Sequence, residues 1–220
     1  MTSKKRIFLI HATPVAIEPI SQAFAKLWPE AELCNLLEDS LSRDLRTAGH
    51  LTEALKRRFC DLANYARSAG ADAVLFTCSA FGEAIELSRE ELDIPVLKPN
   101  EAMIEDALDH GRSIAILATF EPSIGSMTAE FRAAAAKRGL DVQLVTAASA
   151  DAYQALHAGD AARHDQLIAE LASQLEPCDV VCFSQFSMTS AASGAHEASG
   201  RPVLTTPDSA VVQLRRLLES

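Results

Sequence analysis

Asp72-Ala-Val-Leu-Phe-Thr-Cys-Ser-Ala-Phe-Gly82 is the stretch that decides the fold. An aspartate opens it, four apolar residues follow, and a polar turn leads into helical spacing from Phe81 toward Leu92. A short apolar run bounded by turn residues fits a strand buried on both faces of a parallel sheet. The pattern returns as Asp179-Val-Val-Cys-Phe-Ser-Gln-Phe-Ser-Met188, 107 positions later (179 − 72). Working outward, Arg6-Ile-Phe-Leu-Ile10 matches Ser113-Ile-Ala-Ile-Leu117 at the same offset, and Ile94-Pro-Val-Leu97 matches Arg201-Pro-Val-Leu204. Pro99-Asn-Glu-Ala-Met-Ile104 is similar to Pro207-Asp-Ser-Ala-Val-Val212, shifted by one more residue. Blocks that share one offset imply two homologous α/β units.

The spacing predicts a strand over 6–11 and a helix over 15–28, with Ile17, Ile20, Phe24 and Leu27 on one face and Pro29 as its stop. A second strand is expected at 31–36, and residues 39–41 read as a loop. Leu51, Leu55, Phe59, Leu62 and Ala66 predict a long amphipathic helix over 50–69, ended by Gly70. Further strands are expected at 72–77 and 95–97, after which the order of element types repeats. The expected fold is α/β: two pseudo-symmetric Rossmann-like lobes, each a parallel sheet flanked by helices, with the active site in the cleft between them. The expected boundaries are 1–98 plus 207–220 for the first lobe and 99–206 for the second. Ligands of open parallel sheets bind at the carboxyl ends of strands, so the residues there are the candidates.

Of 220 residues, 48% are hydrophobic and 23% charged, which is globular composition and excludes disorder or coiled coil. A net charge of −10 repels phosphate backbones, so no nucleic-acid partner is expected. A small anionic or carbonyl substrate remains compatible, because a local pocket can oppose the global field. No apolar run approaches the roughly 18 residues of a membrane span, and the N-terminus shows no signal-peptide pattern. The five cysteines are scattered and odd in number, which points to a reducing, cytoplasmic setting. The sequence contains no HExxH, GxxxxGK[ST] or GxGxxG, so neither a metal nor a cofactor is expected.

Cys78 follows a strand and precedes a helix start, where free N–H groups and the positive dipole end can lower a thiol pKa. Those N–H groups, at Ser79 and Ala80, together with the flanking Thr77 hydroxyl, could also hold a carboxylate. Cys34, Cys60 and Cys182 read as core. At 107 residues from Cys78 stands Gln185, which cannot shuttle protons but can donate a hydrogen bond. Phe186 and Ser187 follow it in the same strand-end position. Thr119 and Ser123 lie in the first loop of the second lobe, and His11 ends the first strand, where it could contact an anion.

These residues carry a resemblance. The two Asp-initiated motifs, Ile94-Pro-Val-Leu97 and Leu117-Ala-Thr-Phe-Glu-Pro-Ser123 are similar to the aspartate/glutamate/hydantoin racemase superfamily, whose relatives include arylmalonate decarboxylase and maleate isomerase. The resemblance covers nearly the whole chain. It implies cofactor-independent proton transfer at a carbon next to a carboxylate or carbonyl, and it implies a homo-oligomer. Racemases of this kind use two cysteines, one per lobe, on opposite faces of the substrate carbon. Cys78 matches the first, while Gln185 replaces the second. That departure weakens a symmetric two-base racemase and favours a single-cysteine enzyme. The expectation is therefore a racemase or isomerase-like enzyme with Cys78 and Gln185 as catalytic residues. Substrate contacts are expected from His11, Thr77, Ser79, Ala80, Thr119, Ser123, Phe186 and Ser187. The alternatives are a single-cysteine decarboxylase of a malonate-type acid and a carboxylate-binding protein that has lost one catalytic arm.

Overall fold

The structure, a computed structural model, describes residues 4–219. The chain divides into two compact units, one running to Glu101 and resuming at Ala210, the other spanning Ala102–Ser209. In the first, β1 (Arg6–His11), β2 (Glu32–Leu37), β3 (Ala73–Phe76) and β4 (Val96–Leu97) form a parallel sheet of order β2-β1-β3-β4. Its helices are α1 (Ile17–Leu27), α2 (Ser40–Ala48), α3 (Glu53–Ser68) and α4 (Gly82–Glu91). The second unit begins with α5 (Glu101–His110). It continues through β5 (Ser113–Ala118), α6 (Pro122–Lys137), β6 (Gln143–Ala148), α7 (Ala150–His157) and α8 (Ala161–Ser173) to β7 (Val180–Phe183), α9 (Ala192–Ser199) and β8 (Val203–Thr205). Its parallel sheet has order β6-β5-β7-β8, and α10 (Thr206–Glu219) ends the chain.

The repeat seen in the sequence is a repeat of pairing. Ile7 stands opposite Ala73 and Ile114 opposite Val180, so both pairs obey the 107-residue offset. The central strands β3 and β7 are buried along their whole length, as a strand covered on both faces must be. The edge strands β2 and β6 alternate between more and less exposed residues. The aspartate that opens each motif also has a reason. The Asp72 carboxylate accepts the Arg6 N–H at 2.7 Å, and Asp179 accepts those of Arg112 (2.7 Å) and Ser113 (2.9 Å). Each satisfies backbone donors at the amino end of the neighbouring strand.

On one face of the first sheet, Phe8, Ile10, Val74 and Phe76 pack in one cluster with Leu41, Leu55, Phe59, Phe81 and Ile85 from the helical layer. The other end of the unit is tied by Trp28, whose Nε1 donates to Glu219 Oε1, and by Arg215, which donates to the Leu27 carbonyl. Those contacts bring α10 onto α1. In the second unit the sheet lies between two apolar clusters. Ile114, Ile116, Val180 and Cys182 pack with α5 and α6. Leu117, Val181 and Phe183 pack with α8 and α9.

Several expectations need correction. Residues 39–41 are not a plain loop: α2 starts at Ser40 and ends at Gly49, whose φ of +72° suits glycine. Leu41, Leu45 and Ala48 stand at helical spacing, and the two leucines pack on the core cluster, so a short helical signal was present in the segment. Arg58 fastens this segment, pairing with Glu38 and with Asp44 at 2.6 Å. The predicted helix over 15–28 opens with a 3-10 turn at Pro14–Ala16 and becomes α-helical at Ile17. The helix expected from residue 50 starts at Glu53, because the Thr52 hydroxyl caps the Leu55 N–H. Cys34 and Cys60 are only partly buried, whereas Cys182 is fully so. Among the described residues, no helix is long and apolar enough to cross a membrane.

Phe59 on α3 stacks between Phe76 of β3 (4.7 Å) and Phe81 beyond it (4.2 Å), and all three rings are fully buried. We expect Phe59→Ala to cost about 3–5 kcal/mol of stability, read as a lower midpoint in urea unfolding. Phe59→Leu should lose distinctly less.

Candidate functional site

The residues of interest lie where the strands end. After β3 the chain leaves through Thr77 and Cys78 into a 3-10 turn, Ser79–Phe81, before α4 begins at Gly82. Cys78 is partly buried at the rim of the cluster that holds the Phe59 stack, while Ser79 and Ala80 are exposed. The nearby Ala80 backbone N–H favours the thiolate, but the Cys78 side chain accepts no capping hydrogen bond. The thiol pKa expected to fall toward neutrality instead lies above its ordinary value. Burial pushes it up, and the Ala80 N–H offsets this only in part. The physical reason is local. A three-residue turn separates the sulfur from α4, so the end of that helix is not presented to it.

Thr77 and His11 turn inward. His11 is fully buried and Thr77 nearly so. His11 Nδ1 lies 2.9 Å from Thr77 Oγ1, and Nε2 lies 2.9 Å from Asn35 Oδ1. The neutral tautomer that satisfies both contacts donates from Nε2 to Asn35 and accepts the Thr77 hydroxyl proton at Nδ1. Burial holds the His11 pKa below its usual value, against a smaller opposing effect of the Asn35 bond. With both nitrogens occupied, His11 braces β1 against β2 and the end of β3. It offers no free nitrogen to an anion, contrary to the expectation. Asn35 escaped the sequence reading, although it is the lone polar residue in the apolar stretch Leu33–Leu37.

In the second unit, β7 ends at Phe183, and a 3-10 segment, Phe186–Ala191, follows Gln185. The Gln185 side chain folds onto the β5–α6 loop. Its Oε1 accepts the Thr119 N–H at 2.9 Å, with the Thr119 hydroxyl at 3.4 Å. Its Nε2 donates to Ser123 Oγ at 3.3 Å. Ser123 Oγ in turn donates to the Phe120 carbonyl at 2.7 Å and lies 3.2 Å from Ser184 Oγ. Gln185, Thr119 and Ser123 are therefore brought together as one network, and Ser184 joins it unforeseen. The signal for Ser184 was its position, 107 residues after Thr77. Phe186 and Ser187 are half-buried beside this network.

The surface hollow among Arg112, Ser113, Asp141 and Asp179 lies at the amino ends of β5 and β7. That edge is the opposite of the one at which parallel sheets bind ligands. Among the described residues, no group of three or more His, Cys, Asp or Glu side chains could hold a metal ion.

A family model described as Asp/Glu/Hydantoin racemase matches residues 20–214. The chain belongs to this family. Solved structures agree on the fold across 98% of the chain. An aspartate racemase homologue from Pyrococcus horikoshii OT3 is 15% identical with a TM-score of 0.76, the match covering all of that chain. Allantoin racemase from Klebsiella pneumoniae is 17% identical with a TM-score of 0.72, covering 88% of that chain. A Gly74Cys mutant of arylmalonate decarboxylase is 16% identical with a TM-score of 0.69, covering 94% of that chain. No curated protein matches the sequence. Within this racemase family the chain carries cysteine at one of its two equivalent strand ends and glutamine at the other.

The His11 geometry sets a pH dependence. Its folded pKa is depressed, so between that value and about 6.5 the unfolded chain binds a proton that the folded chain refuses. Stability is therefore full above pH 6.5 and falls on acidification below it. In His11→Gln, urea titrations over this range should show a shallower acid limb, by at most about 1.4 kcal/mol per pH unit.

Proposed function

We propose that the protein is a cofactor-independent isomerase that moves a proton at the carbon next to the carboxylate or carbonyl of a small substrate, with the Cys78 thiol as the proton carrier. Membership of the racemase family supports the reaction class. The observation that carries the reading is Cys78 itself, partly buried just beyond the carboxyl end of a buried central strand. The thiolate takes the α-proton, and the electron pair left on carbon passes into the carboxylate or carbonyl as an enediolate or enolate. The exposed Ser79 stands beside the sulfur as a hydrogen-bond donor for that anion. Water returns a proton to the opposite face of the carbon, and the thiol releases the proton it took to solvent.

Gln185 stands where the repeat would put a second ionisable group. Its amide has no accessible proton transfer, and its carbonyl oxygen is already committed to Thr119. One amide hydrogen is engaged by Ser123, which leaves the other to donate to a substrate oxygen. In this reading Cys78 alone does the chemistry, and the Gln185, Thr119 and Ser123 network offers hydrogen-bond donors but no proton carrier at the equivalent strand end of the second unit. His11 and Thr77 act on the site only by bracing the strand ends.

A second reading is favoured by the raised Cys78 pKa. A thiol kept protonated is a proton donor, and donation is what a decarboxylase needs. There the bond from the α-carbon to a carboxyl group breaks, carbon dioxide leaves, and the electron pair remains as an enediolate. The thiol S–H then protonates the carbon, and the thiolate regains its proton from water.

Amino acids, hydantoins, malonates and maleate in deuterated buffer separate these readings. For the isomerase, Cys78→Ala should lower α-deuterium incorporation by about 10²–10⁴-fold. Because the thiol ionises above its usual range, the rate should climb with pH into the alkaline region. For the lyase, carbon dioxide release from a malonate should be flat near neutrality and fall at alkaline pH. Exchange unaffected in Cys78→Ala would remove the sulfur from the mechanism.

A further inference from the structure

Residues 83 and 190 are 107 positions apart, and each stands seven residues beyond the end of its central strand. Glu83, at the start of α4, is held at 2.7 Å by Lys56 of α3, the helix that precedes β3. Ser190 donates at 2.8 Å to Asp165 Oδ1 of α8, the helix that precedes β7. Each segment that leaves a central strand is thus tied, at the same point of the repeat, to the helix before that strand. An ion pair does this in the first unit, and a hydrogen bond to a carboxylate does it in the second.

The second tie has a buried support. Asp165 Oδ1 also lies 2.7 Å from Nδ1 of His164, whose side chain is fully buried. A carboxylate only accepts, so Nδ1 carries the proton, and in the neutral ring Nε2 keeps a bare lone pair. Nε2 has no hydrogen-bond partner among the described residues. An orphaned buried acceptor destabilises a fold, so packing does not account for a histidine here. A leucine would fill the space without that cost. What the ring supplies, and leucine could not, is the Nδ1–H that fixes the Asp165 carboxylate.

From Gln185 to Ser190 the chain is bonded within itself. The Met188 N–H donates to the Gln185 carbonyl at 3.1 Å, and the Thr189 hydroxyl donates to the Phe186 carbonyl at 2.7 Å. Met188 and Ala191 are buried in one apolar cluster with Ile168 and Ala195. Burial sets the depth of the segment but has no direction, whereas a hydrogen bond has one. The Ser190–Asp165 bond therefore fixes how the segment is turned, and with it where the Gln185 amide lies.

We infer that Asp165 is a positioning residue for Gln185: oriented by His164, it holds Ser190 and so keeps the Gln185 side chain on Thr119 and Ser123. The inference concerns where a strand-end side chain is held, so it does not rest on Cys78 as the proton carrier.

The Thr119 N–H is the readout, because it donates to Gln185 Oε1. Its hydrogen exchange, followed by NMR on the full chain, should quicken about tenfold in Ser190→Ala. The amides of Ile116 in β5 and Val181 in β7 should keep their wild-type rates. Ser190 is exposed, so the variant should fold. Ser190→Thr restores a hydroxyl and Asp165→Asn keeps an accepting oxygen, so both should hold Thr119 near its wild-type rate. An unchanged Thr119 rate in Ser190→Ala would overturn the inference. Equal quickening of Ile116 and Val181 would do so too, because it reads as lost stability rather than lost position. Ser190→Thr behaving like Ser190→Ala would be a third contrary result. None of these outcomes needs turnover: quickened exchange at Thr119 would stand even if Cys78→Ala changed nothing, and an unchanged rate would leave the sulfur chemistry untouched.

Discussion

The structure depends on one constraint: four central strands with no face turned to water. Ile7 to Ile10, Ala73 to Phe76, Ile114 to Ala118 and Val180 to Phe183 are all buried, so each backbone N–H and carbonyl needs a partner in a neighbouring strand. Parallel pairing meets that demand, and it requires helical crossovers between strands. It also delivers the carboxyl ends of neighbouring strands to one edge of each sheet. The polar residues there, Thr77 with Cys78 and Ser184 with Gln185, follow the buried runs directly.

The two equivalent strand ends have taken opposite chemistry. After β3 the chain rests on an apolar stack, with Phe81 locked onto Phe59 and the Cys78 sulfur at its margin. That surrounding disfavours the thiolate. After β7 the chain rests on a polar web, in which one glutamine amide is divided between Thr119 and Ser123. One end therefore holds a titratable group against apolar rings, and the other a fixed amide in a hydrogen-bonded lattice. The same offset that makes these positions equivalent in sequence makes their difference in environment plain.

Inward and outward roles divide in the same way at the first strand. His11 and Thr77 look like site residues by position, yet their polar atoms are spent on Asn35 and on each other. They hold the strand ends in place. Phe120 and Tyr153, whose aromatic character suggests core, lie on the outside.

Much of this was legible in the chain. The 107-residue repeat, the apolar strand runs, the amphipathic face of α3 and the position of Cys78 against Gln185 follow from residue order, because periodicity and spacing are local properties. The α2 helix was overlooked, although Leu41, Leu45 and Ala48 carry a short helical period. The Thr52 start of α3, the His11–Asn35 pair, the Gln185–Thr119–Ser123 web and the Asp165–Ser190 tie were not legible. Each of these joins residues distant in sequence or turns on the exposure of a single side chain. The sign of the Cys78 shift belongs with them: residue order puts a thiol before a helix, but only packing determines how much water it keeps and how many N–H groups reach it. Sequence alone determined which groups stand at the strand ends. Tertiary structure decided which of them are buried, paired or open, because desolvation and hydrogen bonding depend on neighbours that the order of residues does not name.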